Sequence, residues 1–112
     1  MDSWKTRLHA EFARGEAARQ RGNEGQARVC ARRAAGIALR EHAARQGREV
    51  PSASVMDLFE ELGPALPPHL RTIIAHLSLH VDTRFQLPPG VDLLEEARSL
   101  CDALLPGWQA ES

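Results

Sequence analysis

The residues of this chain that are best suited to chemistry are concentrated between positions 69 and 84. His69, His76 and His80 are three of the five histidines in the chain, and Arg71 and Arg84 lie among them. Imidazole exchanges protons near neutral pH, and a guanidinium group can hold a phosphate through two parallel hydrogen bonds. This combination favours either phosphate binding or catalysis by proton transfer.

The helix predicted over this segment decides which of these side chains share a face. At about 100° per residue, His69, His76 and His80 fall within about 40° of one another, and Arg84 continues the same ridge. Arg71 lies about 140° from His76, so a straight helix keeps the two apart. They would converge only through a distorted first helical turn, or through a second subunit that completes the site.

Two other interpretations of the histidines stay open. His76 and His80 are spaced i, i+4 and could share a metal ion, but no patterned third and fourth ligands accompany them, so we predict no metal site. Histidines on the flank of a helix are also common as ordinary boundary residues. A glycine-rich phosphate loop, a CxxC pair and the HExxH and GxSxG motifs are all absent from the sequence.

Apolar spacing, capping residues and breakers predict the helices that position these side chains. Glycine and asparagine at residues 22–25 are expected to separate the first two helices, and prolines border the later ones. The predicted spans are 3–21, 26–46, 54–62, 67–84 and 92–105.

This pattern predicts an all-α fold, a four-helix up-and-down bundle with one short extra helix. Alanine and leucine dominate, tyrosine is absent and β-branched residues are sparse, which leaves little from which to build a sheet. The 112 residues suffice for one domain, which we place at residues 1–106, with a C-terminal tail at 107–112. Cys30 and Cys101 lie in apolar stripes and are expected to be reduced and structural.

The net charge of −1 conceals an asymmetry between the two halves of the chain. Residues 1–50 contain eleven Lys and Arg against six Asp and Glu, a net of +5. Residues 51–112 contain three arginines against nine acids, a net of −6. Such a dipole can mark a surface that faces nucleic acid. It can equally hold two helix pairs together, or pair the basic and acidic faces of two subunits.

No apolar run approaches the roughly 20 residues that a membrane-spanning helix requires. Asp2, Lys5 and Arg7 occupy positions where a signal peptide would need an uncharged apolar stretch. We therefore expect no membrane association and a cytoplasmic location.

The order of these features resembles the HEPN family (higher eukaryotes and prokaryotes nucleotide-binding domain), in the form of a small stand-alone prokaryotic member. The alanine-rich stretch at 22–40 is similar to the second helix of that family, and residues 47–62 are similar to its short connecting helix. His80-Val81-Asp82-Thr83-Arg84-Phe85 is similar to a Thr-Arg-Tyr segment of many small members, and an acidic, leucine-rich last helix follows. The resemblance extends from about Trp4 to Leu105.

The functional signature of the HEPN family is an arginine followed, after four to six residues, by a histidine. Arg71 and His76 match it with four intervening residues. The resemblance implies that both are catalytic in a cleft between two subunits, with His76 as general acid or base and Arg71 stabilising the phosphorane charge. His80, Arg84 and His69 would then hold the phosphate of the nucleotide or of the RNA backbone.

Two positions depart from the family pattern. Thr72 stands where HEPN ribonucleases usually have Asn, Asp or His after the arginine. Ser78 stands where members that are inhibited by adenylylation carry a tyrosine.

The resemblance implies an RNA- or nucleotide-binding protein, and a metal-independent ribonuclease toxin if it cleaves RNA. Its expected partner is a nucleotidyltransferase-fold protein encoded nearby, and no cofactor is expected. The alternative is a non-catalytic nucleotide-binding or protein-interaction module. We also expect a homodimer, because the apolar stripe of the fourth helix and Trp4 offer more apolar surface than a monomer of this size needs.

Overall fold

The computed structural model describes residues 3–48, 54–78 and 90–109, and within these ranges the chain forms helices and no strand. A 3-10 turn at Gly63–Ala65 joins the third helix to the fourth. The predicted all-α fold, four longer helices and one short one, is confirmed. The helices are α1 (Trp4–Gln20), α2 (Glu24–Arg45), α3 (Val55–Leu62), α4 (Pro68–Ser78) and α5 (Leu93–Leu104).

Short polar side chains cap the start of four helices. Ser3, Asn23, Ser54 and Asp92 each accept a hydrogen bond from the backbone N–H three residues later, over 3.1, 3.1, 3.4 and 3.2 Å. The Asn23 cap corrects the predicted break at residues 22–25, because α2 already begins at Glu24. The predicted continuation of α4 to residue 84, and most of the loop after it, lies outside the described residues.

α2 is the central helix and contacts α1, α3, α4 and α5. Its buried side is built mostly of alanine, which lets α1 approach closely. On α1, a Cβ added to Gly15 would lie 2.7 Å from Leu94 Cδ2 and 3.2 Å from Cys30 Cβ. The junction of α1, α2 and α5 therefore has no free space for a larger side chain at Gly15.

The other helices contribute larger apolar side chains to the same core. The α4 stripe is buried within the single chain, with exposures of 3% or less at Leu70 and Leu77 and of 7% or less at Ile73 and Ile74. Trp4 is half-buried beneath Arg45, whose guanidinium lies 5.3 Å from the ring centre. These residues consequently do not provide the surplus apolar surface that was the sequence-based reason for expecting a homodimer.

The C-terminal end of α5 is attached to α1 through Trp108, which belongs to the predicted C-terminal tail at 107–112. Trp108 is 3% exposed, and its ring lies 5.1 Å from that of Phe12. Its indole N–H donates a hydrogen bond of 2.7 Å to Asp102, and His9 Nε2 donates one of 3.2 Å to its carbonyl oxygen. Among the described residues, each helix is too short or too polar to cross a lipid bilayer.

Candidate functional site

His76 lies on the side of α4 that faces α5, where its imidazole pairs with Glu96. Nδ1 contacts Oε1 of the carboxylate, and the two side chains are 22% and 21% exposed. Because an ionised carboxylate only accepts hydrogen bonds, Nδ1 is the nitrogen that carries the proton in this pair. Nε2 is thereby left as the ring nitrogen that can take up and release a proton.

The end of α4 that carries His76 is fastened to the central helix by Arg32. The Nε–H group of Arg32 donates a hydrogen bond of 2.8 Å to the carbonyl oxygen of Leu77. Burial lowers the pKa of the Arg32 guanidinium, and the neighbouring charge of Arg28 lowers it further. Arginine still remains protonated at neutral pH, so this contact holds the last described turn of α4 against α2.

Arg71, the other predicted catalytic residue, faces a different neighbour. It lines an exposed groove of about 380 Å³ between α3 and α4, together with Phe59 and Ala75. His76 instead pairs with α5. A single chain therefore keeps Arg71 and His76 on different sides of α4, as the helical spacing indicates for a straight helix.

Of the three residues predicted to hold phosphate, the structure describes only His69. His69 is exposed in the first turn of α4, and no side chain of the described residues hydrogen-bonds to it. His80 and Arg84 lie outside the described residues. Within residues 3–48, 54–78 and 90–109, no three His, Cys, Asp or Glu side chains are grouped so as to share a metal ion.

A second candidate site lies on the hairpin formed by α1 and α2. Arg7, Arg14 and Arg21 recur every seven residues along and just beyond α1, so they form a stripe that spans about 40° and extends over about 21 Å. Arg33 and Arg40 repeat the seven-residue spacing on α2. These five residues are called the arginine surface below.

Both stripes of the arginine surface point away from α5. On α1, the residues that bond to α5 are Glu16 and Arg19, and they lie roughly opposite the arginine stripe around the helix axis. On α2, Ala27 and Arg28 border the start of α5, again roughly opposite the second stripe. The arginine surface therefore occupies the face of the hairpin that α5 leaves open.

Most of this positive charge has no counterion. Arg7, Arg21 and Arg33 are exposed, and no carboxylate of the described residues pairs with them. Arg14 pairs over 3.0 Å with Glu11, an otherwise buried residue whose Oε1 has no hydrogen-bond partner in the described part of the chain. The positive potential of this face is thus largely uncompensated.

Three acids of the second half of the chain, Glu61, Asp92 and Glu96, form pairs with residues of other parts of the fold. The largest cluster centres on Arg19, which bonds Asp92 over 2.9 and 3.0 Å and Glu24 over 3.0 Å. Hydrogen bonding from Arg19 holds the pKa of Asp92 below its ordinary value. Further pairs that connect one half to the other are Arg98–Glu16 and Arg48–Glu61.

Two features of these sites were not predicted from the sequence. Glu96 lies 20 residues from His76, and no motif links them, so only the packing of α5 against α4 identifies the pair. The seven-residue spacing of the arginines is visible in the sequence, but which face of the hairpin stays open depends on the position of α5.

Within the described residues, the chain is an all-α helical bundle whose first hairpin carries a basic face. The chain matches no protein-family model, no curated protein and no solved structure. Its resemblance to the HEPN family therefore stays a prediction that depends on the sequence features described above.

Proposed function

We propose that this protein binds RNA through the arginine surface of the α1–α2 hairpin. The observation that carries the proposal is the uncompensated charge of this face, where Arg7, Arg21 and Arg33 have no counterion among the described residues. Arginine binds phosphate oxygens through paired N–H groups, and release of condensed counterions from the nucleic acid drives such binding. The resemblance to the HEPN family supports RNA as the polyanion.

Substitution of the three arginines that have no counterion tests the proposal without breaking an ion pair. In 0.1 M salt, the Arg7→Gln, Arg21→Gln, Arg33→Gln triple variant should bind a fluorescently labelled single-stranded RNA about 100-fold more weakly than the natural chain. Each lost phosphate contact to a single strand accounts for roughly a fivefold change at this salt concentration. Fluorescence anisotropy measures the affinity, and circular dichroism checks that the helices are retained.

Lys5→Gln is the matched control, because Lys5 is a cation of α1 that lies roughly opposite the arginine stripe around the helix axis. Its RNA affinity should stay within about twofold of that of the natural chain, because the change removes one charge far from the bound phosphates, and salt screens that charge. Loss of binding in Arg71→Gln but not in the triple variant would place the RNA site at α4 instead. Equal affinity for DNA of the same sequence would contradict a preference for RNA.

A second candidate function, metal-independent cleavage of RNA, is favoured by the His76–Glu96 pair. With Nδ1 bonded to the carboxylate, Nε2 can accept the proton of an RNA 2′-hydroxyl while that oxygen attacks the adjacent phosphorus. The bond from phosphorus to the 5′-oxygen then breaks, the 5′-oxygen leaves as a hydroxyl after taking a proton from water, and a 2′,3′-cyclic phosphate remains. Arg71 would stabilise the phosphorane charge only if it came from a second copy of the chain, because it faces away from His76 in its own. Such an enzyme would be the toxin of a pair whose other member has a nucleotidyltransferase fold.

Cleavage of mixed single-stranded RNA in EDTA tests this second function. His76→Ala should lower the rate by about 10²–10⁴-fold, the usual contribution of a positioned acid or base. Glu96→Gln should lower it less, and Glu95→Gln, which changes the exposed carboxylate next to it, should leave it unchanged. Equal cleavage by the natural chain and His76→Ala, or a strict need for added metal, would contradict the assignment. If the natural chain binds RNA but does not cleave it, the protein is a non-catalytic binding module.

A further inference from the structure

Glu11 is a buried carboxylate at the edge of the arginine surface. It is 8% exposed, and no other charged residue within residues 3–48, 54–78 and 90–109 is buried. Arg7 precedes it by four residues and Arg14 follows it by three, so both are its neighbours on the surface of α1. Glu11 therefore borders the arginine stripe of α1 on its buried side.

Only one of the two oxygens of this carboxylate is bonded. Oε2 pairs over 3.0 Å with the guanidinium of Arg14. Oε1 is out of contact with solvent and has no hydrogen-bond partner in the described part of the chain. An unpaired oxygen on a buried charge is unfavourable, and each carboxylate oxygen can accept two hydrogen bonds. Glu11 therefore lacks N–H or O–H donors, which a phosphodiester group does not offer.

Arg14 connects this carboxylate to the phosphate-binding surface. Its side chain is 58% exposed, so its guanidinium can turn from Glu11 to a phosphate oxygen. That movement would take from Glu11 the one partner that the described residues give it, a change that is strongly unfavourable unless another donor replaces the guanidinium. An RNA base that offers N–H groups at this position would replace Arg14, whereas a base that offers acceptors would not.

The Watson–Crick edge of guanine is the base edge that suits a carboxylate best. Its N1–H and N2–H groups are adjacent donors that point the same way, so they can bond both carboxylate oxygens at once. Cytosine and adenine place an acceptor beside their amino donor, and uracil places its one N–H between two carbonyl oxygens that a carboxylate repels. We propose that Glu11 recognises guanine in the RNA that the arginine surface binds, an inference that rests on the proposed function.

The affinities of three short single strands, measured by fluorescence anisotropy, test this assignment. They are a uridine strand, the same strand with guanosine at its central positions, and the same strand with inosine there. The natural chain should bind the guanosine strand about tenfold or more tightly than the uridine strand, the discrimination that one bidentate base contact supplies. Inosine keeps N1–H but lacks the N2 amino group, so the affinity for its strand should fall between the other two.

Glu11→Gln is the decisive variant, because it keeps the shape of the side chain but removes its charge and one of its acceptors. Its affinities for the guanosine and uridine strands should agree within about twofold. It should also bind the uridine strand more tightly than the natural chain does, since a negative charge beside the phosphates is removed. Glu16→Gln, which removes a carboxylate from the opposite side of α1, should keep the preference for guanosine.

The base preference separates recognition from a structural role, because a carboxylate that only supports the fold would change its stability and leave the preference unaltered. Equal affinity of the natural chain for all three strands would overturn the inference while RNA binding by the arginine surface stands. A guanosine preference that survives in Glu11→Gln would do the same. Absence of binding to every strand would overturn both proposals.

Discussion

The α1–α2 hairpin and the α3–α4–α5 half share one core but are built from different residues. The hairpin packs with alanine and glycine and carries most of the arginines, whereas the second half packs with leucine and isoleucine and carries most of the acids. Some of these acids form pairs that join parts of the fold, as Asp92 does with Arg19 and Glu96 with His76. The hairpin has more arginines than those pairs use, and Arg7, Arg21 and Arg33 remain on its open face without a counterion among the described residues.

The hairpin and the second half of the chain also differ in how their side chains pack. Small side chains let the helices of the hairpin approach closely, so there is no space for a larger side chain at Gly15, and Ala34 is fully buried. The large side chains of the second half fill more volume, so their truncation leaves a cavity. The two regions should therefore respond in opposite ways to a change of side-chain size.

The largest effect on stability is expected from truncation in the leucine-packed half. Leu100 of α5 is fully buried, and Leu100→Ala should lower the free energy of unfolding by about 3 kcal/mol through lost burial and the cavity left behind. Urea unfolding followed by circular dichroism measures this value. A loss below about 1 kcal/mol would mean that the core around α5 is much looser than described.

A larger side chain in the alanine-packed hairpin should lower the free energy of unfolding by a smaller but measurable amount. Ala34→Leu on the buried side of α2 should lower the free energy of unfolding by about 1–3 kcal/mol, because the helices around α2 must move apart. Ala44→Leu adds the same atoms to an exposed position of the same helix and should change it by less than about 0.5 kcal/mol. Equal effects at both positions would contradict close packing across α2.

The smallest effect concerns the Arg19–Asp92 pair that joins the two regions. Asp92→Asn keeps a helix cap but loses the charge, and should lower the free energy of unfolding by about 0.5 kcal/mol at pH 6. The pKa of Asp92 is lowered by folding, so its carboxylate stabilises the fold above the unfolded pKa and loses this contribution as the pH falls through the folded pKa. The difference between the natural chain and Asp92→Asn should therefore disappear as the pH falls below 3.8, the ordinary value. A difference that persists in strong acid would contradict the ion pair.

Local signals in the sequence were sufficient for most of the helices. Ser54 and Asp92 are caps that accept hydrogen bonds from the backbone three residues later, and they are the first residues of the helices predicted over 54–62 and 92–105. Asn23 acts in the same way, but Gly25 two residues later favoured a longer break. Trp108 follows a proline–glycine stop, and its burial depends on Phe12 at the other end of the chain, so no local pattern reveals it.

In the candidate sites too, some features follow from the local sequence and others follow only from tertiary packing. The histidine and arginine spacing on α4 correctly indicated that Arg71 and His76 lie apart within one chain, because that follows from helix geometry alone. The partner of His76 and the open face of the hairpin follow from the position of α5, which no spacing within α4, α1 or α2 encodes.

The salt dependence of RNA binding reveals whether the arginine surface binds the phosphate backbone. The logarithm of the association constant for single-stranded RNA should fall linearly with the logarithm of the salt concentration, with a slope of about −0.7 for each phosphate contact. For the Arg7→Gln, Arg21→Gln, Arg33→Gln variant we expect a slope shallower by about 2, because three contacts are lost. The same slope for the variant and the natural chain, or binding that does not depend on salt, would contradict phosphate binding by this surface.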